Sequence, residues 1–365
     1  MEYPYFSKKM TIIDRYIVRS IAISSTLALL GLVTLMAFIN FLNELNELGN
    51  GAYSFEIILQ HILLLTPSFF NSLLILAIMM GVIFAVGEFN SNREIQIFQT
   101  ASISLSHLVN KCLVISFLLS IFLISFFEII SPDTFKLAHQ IKNQALGKPI
   151  VKFNETLWFK DGNKIFNISN ISPNGSSLRV FTVDDKGRLV SFSFGKQGNF
   201  LDNKFIEPAS KTINFSINNQ DINSFPTINY QEVKIPLEEE LVNIMKLDIK
   251  ESSLKNLFKS GYYSYTNGLH YREYAHEIII RLIRPFTLIG MILASIPIIL
   301  RFGRSISVSN RIFISLMIGL ITNLLSRILS VISLKFDSLE FVGPMIPTLL
   351  LISFGYVTTR NFLKR

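Results

Sequence analysis

Positively charged side chains lie within or beside the most apolar stretches of this sequence, where charge is unusual. Arg281 and Arg284 are three residues apart near the start of one apolar run, and Arg327 lies in the second half of the next. Lys136 and Lys142 follow an earlier run. A charge inside a membrane span costs about 2.5–3.5 kcal/mol on insertion scales, so such residues are candidates for function. Because guanidinium groups bind phosphate through paired hydrogen bonds, this set predicts a site for an anionic, membrane-resident ligand.

The same polar residues can also be explained by structural roles that involve no ligand. Arg281 follows Glu277 by four residues, a spacing that permits an ion pair along one helix face. Long basic side chains can also extend from a span to the headgroup layer. Asn40, at the end of the first apolar run, equally fits a polar residue at headgroup level.

Motifs for catalysis or metal binding are absent from the sequence. It contains no G-x-x-x-x-G-K-[ST], H-E-x-x-H or G-x-S-x-G pattern and no cluster of cysteine and histidine. The five histidines are scattered, and the single cysteine, Cys112, excludes an intrachain disulfide. We therefore expect no enzymatic activity, no metal and no cofactor in this chain.

Six apolar runs are available to position the charged side chains. Most are long enough to cross a hydrocarbon layer of about 30 Å, which requires about 20 helical residues. The chain of 365 residues is 50% hydrophobic and only 16% charged, which is typical of a membrane protein. Three runs precede one long polar stretch and three follow it, a 3+3 arrangement: Ser20–Phe41, Ile57–Val86, Leu113–Ile130, Ile278–Leu300, Ile312–Val331 and Phe341–Val357.

The distribution of lysine and arginine predicts the orientation of these spans. Basic residues flank the N-terminus, the segment after the second run, the loop after the fourth run and the C-terminus. The positive-inside rule assigns these four segments, and hence both termini, to the cytoplasm. The polar stretch then lies outside the cytoplasm. Because the net charge of +8 comes largely from residues beside the spans, it does not indicate nucleic-acid binding.

The long polar stretch, residues 147–250, has the two-residue period of β-strands. Alternating apolar and polar side chains and regular turn signals predict antiparallel strands in a jelly-roll-like or sandwich domain. Its aromatic inner faces fit either a packed core or a groove that accepts lipid. A connecting helical segment, 251–274, leads to the second membrane half, 275–365. The apolar positions are Val190, Phe192, Phe194, Ile213, Phe215 and Ile217.

The first membrane half, residues 1–146, contains a second candidate functional segment at about 88–102. We predict a helix here, with Glu94 at its start and with Ile95 and Phe98 on one face. An amphipathic helix of this kind either lies solvated at the membrane surface or docks on a cytoplasmic partner. The pattern alone leaves both possibilities open.

Four motifs in this order, on a 3+3 topology, resemble the LptF/LptG permease family, the membrane subunits of the lipopolysaccharide exporter. The resemblance covers essentially the whole chain, and the first and third motifs favour the LptG branch. The motifs are Ile13-Asp14-Arg15-Tyr16-Ile17, Arg93-Glu94-Ile95 with Phe98, Leu157-Trp158-Phe159-Lys160-Asp161-Gly162, and Tyr274-x-x-Glu277-x-x-x-Arg281-x-x-x-Pro285.

The resemblance implies a permease subunit of an ABC transporter that extracts lipopolysaccharide from the bacterial inner membrane. The lipid would pass to a periplasmic bridge through the β-domain. Implied partners are an LptF-like permease, an LptB-like ATPase dimer and a bitopic LptC-like protein, with ATP hydrolysis in the separate subunit. Alternatives are a non-transporting ABC membrane subunit that transmits force and a membrane-anchored β-domain scaffold.

The resemblance also implies roles for individual residues. Glu94, with Ile95 and Phe98, matches the coupling helix that contacts the ATPase. Arg281 and Lys142 match basic positions that hold lipopolysaccharide phosphates.

Several positions depart from the family pattern, among them Asn40 and Ser102. Asn40 stands where relatives have a substrate-contacting lysine, so Arg284 and Arg327 are candidates to replace that cation. Ser102 stands where the family usually has glycine.

Overall fold

The computed structural model describes most of the chain. The described residues are 12–147, 157–172, 175–184, 187–201, 204–218, 221–225, 231–235, 249, 252–266, 271–302, 307–333 and 342–363. The chain divides into two compact units. The membrane unit comprises Met1–Ala138 and Ile279–Arg365, and the inserted unit comprises His139–Ile278.

Eight α-helices occur in the described ranges. In chain order they are α1 (Ile12–Glu44), α2 (Phe55–Ser91), α3 (Glu94–Thr100), α4 (Leu105–Ala145), α5 (Leu254–Thr266), α6 (Arg272–Phe302), α7 (Val308–Ser333) and α8 (Ile346–Leu363).

Five of these helices, α1, α2, α4, α6 and α7, are long and apolar enough to cross a membrane. They correspond to the first five predicted spans. The sixth predicted span forms α8, which has only 18 residues and contains Arg360 in its last turn. A sixth crossing therefore stays a prediction.

Helix α2 is the most buried candidate span of the membrane unit, and α1 packs along it. The buried positions of α1 recur every four residues at Ile17, Ile21 and Ser25, and this spacing places them on one face. At Gly81 of α2, an added Cβ atom would lie 2.5 Å from the Cα atom of Ser25. Glycine is therefore required at this contact between the two helices.

Small residues also join α6 to α8. A Cβ atom at Gly290 would lie 2.9 Å from Leu351, and one at Gly355 would lie 2.7 Å from Leu293. The hydroxyl groups of Thr287 and Thr348 are 2.7 Å apart, within hydrogen-bond distance. Close backbone contact and hydroxyl pairing are the common means by which helices associate in lipid.

The inserted unit contains an antiparallel sheet, which confirms the predicted β-domain between the two helical halves. Its strands pair in chain order from β1 to β6, and β7 pairs with β5. The strands are β1 (Leu157–Asp161), β2 (Lys164–Ser172), β3 (Gly175–Val183), β4 (Leu189–Leu201), β5 (Lys204–Asn218), β6 (Asp221–Phe225) and β7 (Gln231–Ile235).

Apolar side chains of β2 and β3 form a core in this sheet, with Phe166, Ile168, Leu178 and Val180 buried. Two predicted turns contain glycine with positive φ, 54° at Gly162 and 76° at Gly187. The φ values explain glycine at both positions, because other L-residues rarely adopt this conformation.

Helix α5 lies within the predicted connecting segment 251–274, and α6 begins in the same segment at Arg272. Ser253 caps α5, because its hydroxyl accepts a hydrogen bond from the backbone N–H of Asn256 at 3.3 Å.

Candidate functional site

A network of charged and amide side chains joins α2, α4 and α6 inside the membrane unit. The Nη1 atom of Arg281 donates to Oε1 of Glu128 at 2.6 Å. The Nδ2 atom of Asn71 lies 3.5 Å from Oε2 of the same carboxylate, and Nη1 of Arg284 lies 3.4 Å from Oδ1 of Asn71. These four residues, Asn71, Glu128, Arg281 and Arg284, are called the charge cluster below.

The charge cluster is largely shielded from solvent. The side chains of Arg281 and Glu128 are only 5% and 11% exposed. A buried ion pair lacks most of its hydration, and close contact between the two charges offsets much of that cost. The guanidinium of Arg281 is therefore already bound by the carboxylate of Glu128. Its predicted contacts with an anionic ligand and with Glu277 stay predictions.

Glu128 and Asn71 were not among the residues predicted from the sequence. Glu128 is the one acidic residue in the apolar run Leu113–Ile130. The rule that selected the arginines, a charge within a span, selects this carboxylate equally well. Asn71 gives a weaker signal, because an uncharged amide within a long apolar run is less costly to insert.

The other predicted phosphate contacts are distributed over several helices. Arg327 on α7 and Lys136 on α4 are exposed, and neither forms an ion pair or hydrogen bond with another residue in the described ranges. Asn40 is half-buried, and its side-chain amide donates to the Met36 carbonyl of its own helix at 2.8 Å. Lys142 lies in the last turn of α4, within the inserted unit. The charge cluster thus contains only Arg281 and Arg284 of the predicted cations.

An apolar cavity of about 350 Å³ opens between α1, α2 and α7. Nearly all of its lining is hydrocarbon, so it fits an acyl chain better than a polar group. The lining residues are Ser24, Leu27, Ala28, Gly31, Leu32, Met80, Phe84 and Ile312.

Helix α3 holds the predicted coupling residues. Oε2 of Glu94 accepts a hydrogen bond from the Tyr16 hydroxyl of α1 at 3.0 Å. Phe98 packs against Phe89 with ring centroids 5.9 Å apart. Ile95 is buried within the chain, whereas Ile97 is 62% exposed. Ile97 is therefore more accessible to a partner than Ile95, and the coupling role of Glu94, Ile95 and Phe98 stays a prediction.

The bounds of α3 are also narrower than the predicted 88–102. Helix α2 continues to Ser91, and Arg93 then adopts a left-handed conformation with φ of 64°. A second left-handed residue, Ser102 with φ of 62°, follows the end of α3. Left-handed residues interrupt helices, so these two positions set both ends of α3.

A hydrogen-bonded group at the opposite end of α1 and α2 contains Tyr53, Glu44 and His61. The Tyr53 hydroxyl donates to Oε2 of Glu44 at 2.8 Å, and Nε2 of His61 lies 3.6 Å from Oε1. The Nδ1 atom of His61 lies 2.9 Å from the Ala138 carbonyl. Burial, and then the hydrogen bond to Glu44, raise the pKa of Tyr53 above its usual value of 10.0.

Within the described part of the chain, no group of three or more histidine, cysteine, aspartate or glutamate side chains could hold a metal ion.

Long apolar helices around a buried charge cluster, with a β-sheet inserted in the chain between them, are typical of a multi-pass membrane protein. Residues 15–361 match the family described as "Lipopolysaccharide export system permease LptF/LptG", and the chain belongs to this family.

A relative points to the same family. The chain is 23% identical over 352 residues to the "Lipopolysaccharide export system permease protein LptG" of Haemophilus influenzae, covering 93% of this chain and 96% of that protein. The sequence-based prediction of a permease subunit for lipopolysaccharide export, located in the inner membrane, is confirmed.

Proposed function

We propose that this chain forms a heterodimer with an LptF-like permease, bound to an LptB-like ATPase dimer and joined by an LptC-like protein. In this assembly both termini face the cytoplasm and the β-sheet faces the periplasm. The positions of lysine and arginine beside the spans support this orientation. ATP hydrolysis takes place in the separate subunit, and this chain converts it into movement of lipid.

The acyl chains of lipopolysaccharide are accommodated along α1 and α7. Both helices expose large apolar side chains, including Leu27 and Phe38 on α1 and Phe313 and Leu320 on α7. The cavity between α1, α2 and α7 adds apolar surface of the same kind. Because the equivalent helices of the partner face this surface, the two subunits enclose the lipid between them.

The charge cluster binds a phosphate of the lipid by exchange of anions. In the resting arrangement Glu128 neutralises the guanidinium of Arg281. A lipid phosphate replaces Glu128, because a guanidinium can form paired hydrogen bonds with either anion. Arg284 supplies a second cation beside Arg281. The lipid contacts four other residues before its phosphate reaches the charge cluster: exposed Arg327 and Lys136, Lys142 and Asn40. The arrangement of Arg281, Glu128, Asn71 and Arg284 is the observation that supports this proposal most directly.

Anion exchange explains how lipid can be released as well as held. When Glu128 returns to Arg281, the phosphate loses its partner and lipid affinity falls. The transporter thus has two states that differ in affinity for the same ligand, as energy coupling requires.

Helix α3 transmits the movement of the ATPase to the spans. Glu94 and exposed Ile97 contact the ATPase, and buried Ile95 and half-buried Phe98 anchor α3 to its own subunit. The hydrogen bond between Tyr16 and Glu94 connects α3 to α1, the helix that lines the lipid path. Closure of the ATPase dimer therefore displaces α1.

Site-specific photo-crosslinking in the assembled exporter tests the proposed lipid site. A photoreactive residue at Arg284 should capture lipopolysaccharide in the absence of ATP and lose it when ATP drives closure. The matched control is Leu282, which is 56% exposed on the same helix. It precedes Arg284 by two residues, a spacing that places the two on different faces of a helix. Position 282 should capture bulk phospholipid instead.

Two results would contradict the proposal. If an exporter that is active captures no lipopolysaccharide at position 284, the phosphate does not bind at the charge cluster. If the chain purifies without an ATPase subunit under conditions that preserve export, the proposed assembly is wrong.

A further inference from the structure

Helix α5 exposes a stripe of aromatic side chains on one face. Phe258, Tyr262 and Tyr265 are 54%, 73% and 65% exposed. Their spacing of four and three residues places them on one side of the helix. Lys255, three residues before Phe258, is exposed on the same side. These four residues are called the aromatic face below.

The other side of α5 is packed within the inserted unit. Leu257, Ser260 and Ser264 are buried there. A Cβ atom at Gly261 would lie 3.2 Å from Tyr274 in the first turn of α6. Helix α5 therefore lies directly beside the start of α6, and the exposure of the aromatic face does not result from a detached helix.

This position brings α5 to the surface of the membrane. Helix α6 begins at Arg272 and is one of the five candidate spans, and its apolar run begins at Ile278. Packing against the first turn of α6 holds α5 at the level where the span enters the lipid. The chain between the two helices, residues 267–271, is too short to move α5 far from that level.

The composition of this segment matches the membrane interface. Five of the eleven tyrosines of the chain lie between Tyr262 and Tyr274. Tyrosine is enriched at the headgroup level, because its ring is apolar and its hydroxyl needs a polar partner. Rings of Tyr265 and Tyr271 are 5.2 Å apart in an edge-to-face arrangement. A lysine on the same face suits the phosphates of lipid headgroups.

We infer that α5 is an interfacial helix whose aromatic face lies in the headgroup layer of the membrane that α6 crosses. Phe258 and Tyr262 insert towards the acyl chains, and Lys255 contacts lipid phosphate. The ligand is the lipid surface itself rather than a transported molecule. The inference depends only on α6 being a span, and it does not depend on the proposed lipopolysaccharide site.

Spin-label accessibility in proteoliposomes tests this inference with the assembled exporter. Phe258→Cys and Tyr262→Cys would be labelled in a cysteine-free complex that contains Cys112→Ala. For each spin label, the rate of collision with oxygen, which concentrates in lipid, is compared with the rate of collision with a water-soluble nickel chelate. The control for lipid is Leu282→Cys, exposed on α6, and the control for water is Lys211→Cys, exposed on β5.

Both test positions should resemble Leu282→Cys, with a nickel collision rate several-fold below that of Lys211→Cys. Nickel accessibility equal to that of Lys211→Cys would place the aromatic face in water and overturn the inference. Low accessibility to both reagents would show that protein covers the face, which would also overturn it. Tyr265→Cys provides a third label position if one of the first two variants fails to assemble.

Discussion

The side chains of Arg281 and Glu128 form a 2.6 Å ion pair that connects α6 with α4 inside the membrane unit. The arginine belongs to a motif that is recognisable in the sequence, and the glutamate does not. We expect the pair to contribute to the stability of the fold as well as to the proposed binding of lipid. Variants of Glu128 and Arg281 can separate these two contributions.

Removal of Glu128 alone should destabilise the protein. In the Glu128→Ala variant the buried guanidinium of Arg281 loses the carboxylate of Glu128, and loss of one member of a buried pair costs about 3–5 kcal/mol. The double variant Glu128→Leu/Arg281→Met should recover much of this stability, because two apolar side chains can replace a buried pair. Thermal unfolding of the purified complex measures both effects.

The same double variant should bind lipopolysaccharide poorly, because Arg281 is absent. Glu128→Gln should instead retain more lipid than the unmodified protein, since phosphate no longer competes with a carboxylate. Retention is measured as lipid that co-purifies per complex. A stable double variant that retains the usual amount of lipid would remove Arg281 from the proposed site.

The contact between Gly81 and Ser25 makes a prediction about α1 and α2. Gly81→Ala should destabilise the membrane unit by about 1–3 kcal/mol, the usual cost of overpacking, because the new methyl group overlaps the Ser25 backbone. The control is Gly31→Ala on α1, where no atom lies within 4 Å of an added Cβ. Unfolding temperatures of the two variants, compared in one detergent, test the prediction. Equal unfolding temperatures would contradict the prediction, because they would show that α1 and α2 can move apart at Gly81 without loss of stability.

The left-handed backbone at Ser102 predicts a stabilising substitution. A residue with a Cβ atom in this conformation costs about 1–2 kcal/mol, and glycine avoids most of that cost. Ser102→Gly should therefore raise the unfolding temperature, whereas Ser102→Val should lower it. If both variants lower it equally, the serine side chain contributes more than the backbone conformation. A higher unfolding temperature for Ser102→Gly would fit the glycine that the family resemblance implies at this position.

The raised pKa of Tyr53 predicts a loss of stability in alkali. Because the folded protein favours the neutral phenol, Tyr53 stabilises it below the ordinary pKa of 10.0. That contribution falls as the pH rises above 10.0 towards the folded-state pKa. Lysines also lose charge in this range, so the measured quantity is the difference in unfolding temperature between the unmodified protein and Tyr53→Phe from pH 8 to 11. The difference should shrink as the pH rises.

The sequence predicted the architecture well because that architecture follows from hydrophobicity and period. Long apolar runs predicted α1, α2, α4, α6 and α7, and the two-residue period predicted β4 and β5. Helix ends were predicted less well. No rule of composition identifies Arg93 as the residue that separates α2 from α3.

Two members of the charge cluster, Arg281 and Arg284, were predicted from the sequence, and the other two were missed for a physical reason. A rule about charges in spans finds each ionisable residue separately, but it does not say which residues meet. Glu128 and Arg281 are 153 positions apart in the chain, so their contact depends on how α4 packs beside α6. The exposure of Ile97 and the burial of Ile95 likewise depend on the direction from which α3 approaches α2.

A hydrogen-bonded contact joins the end of α2, close to α3, to the end of α6. The side-chain amide of Asn90, in the last turn of α2, donates to the carbonyl oxygens of Ile299 and Leu300 at 3.3 and 3.1 Å. These carbonyls belong to the final turns of α6, whose earlier turns contain Arg281. Asn90 therefore connects the end of α2, three residues before Arg93, to the last turns of the helix that contains Arg281. In the proposed coupling, a displacement of α3 would therefore reach α6 through Asn90, in addition to reaching α1 through Tyr16.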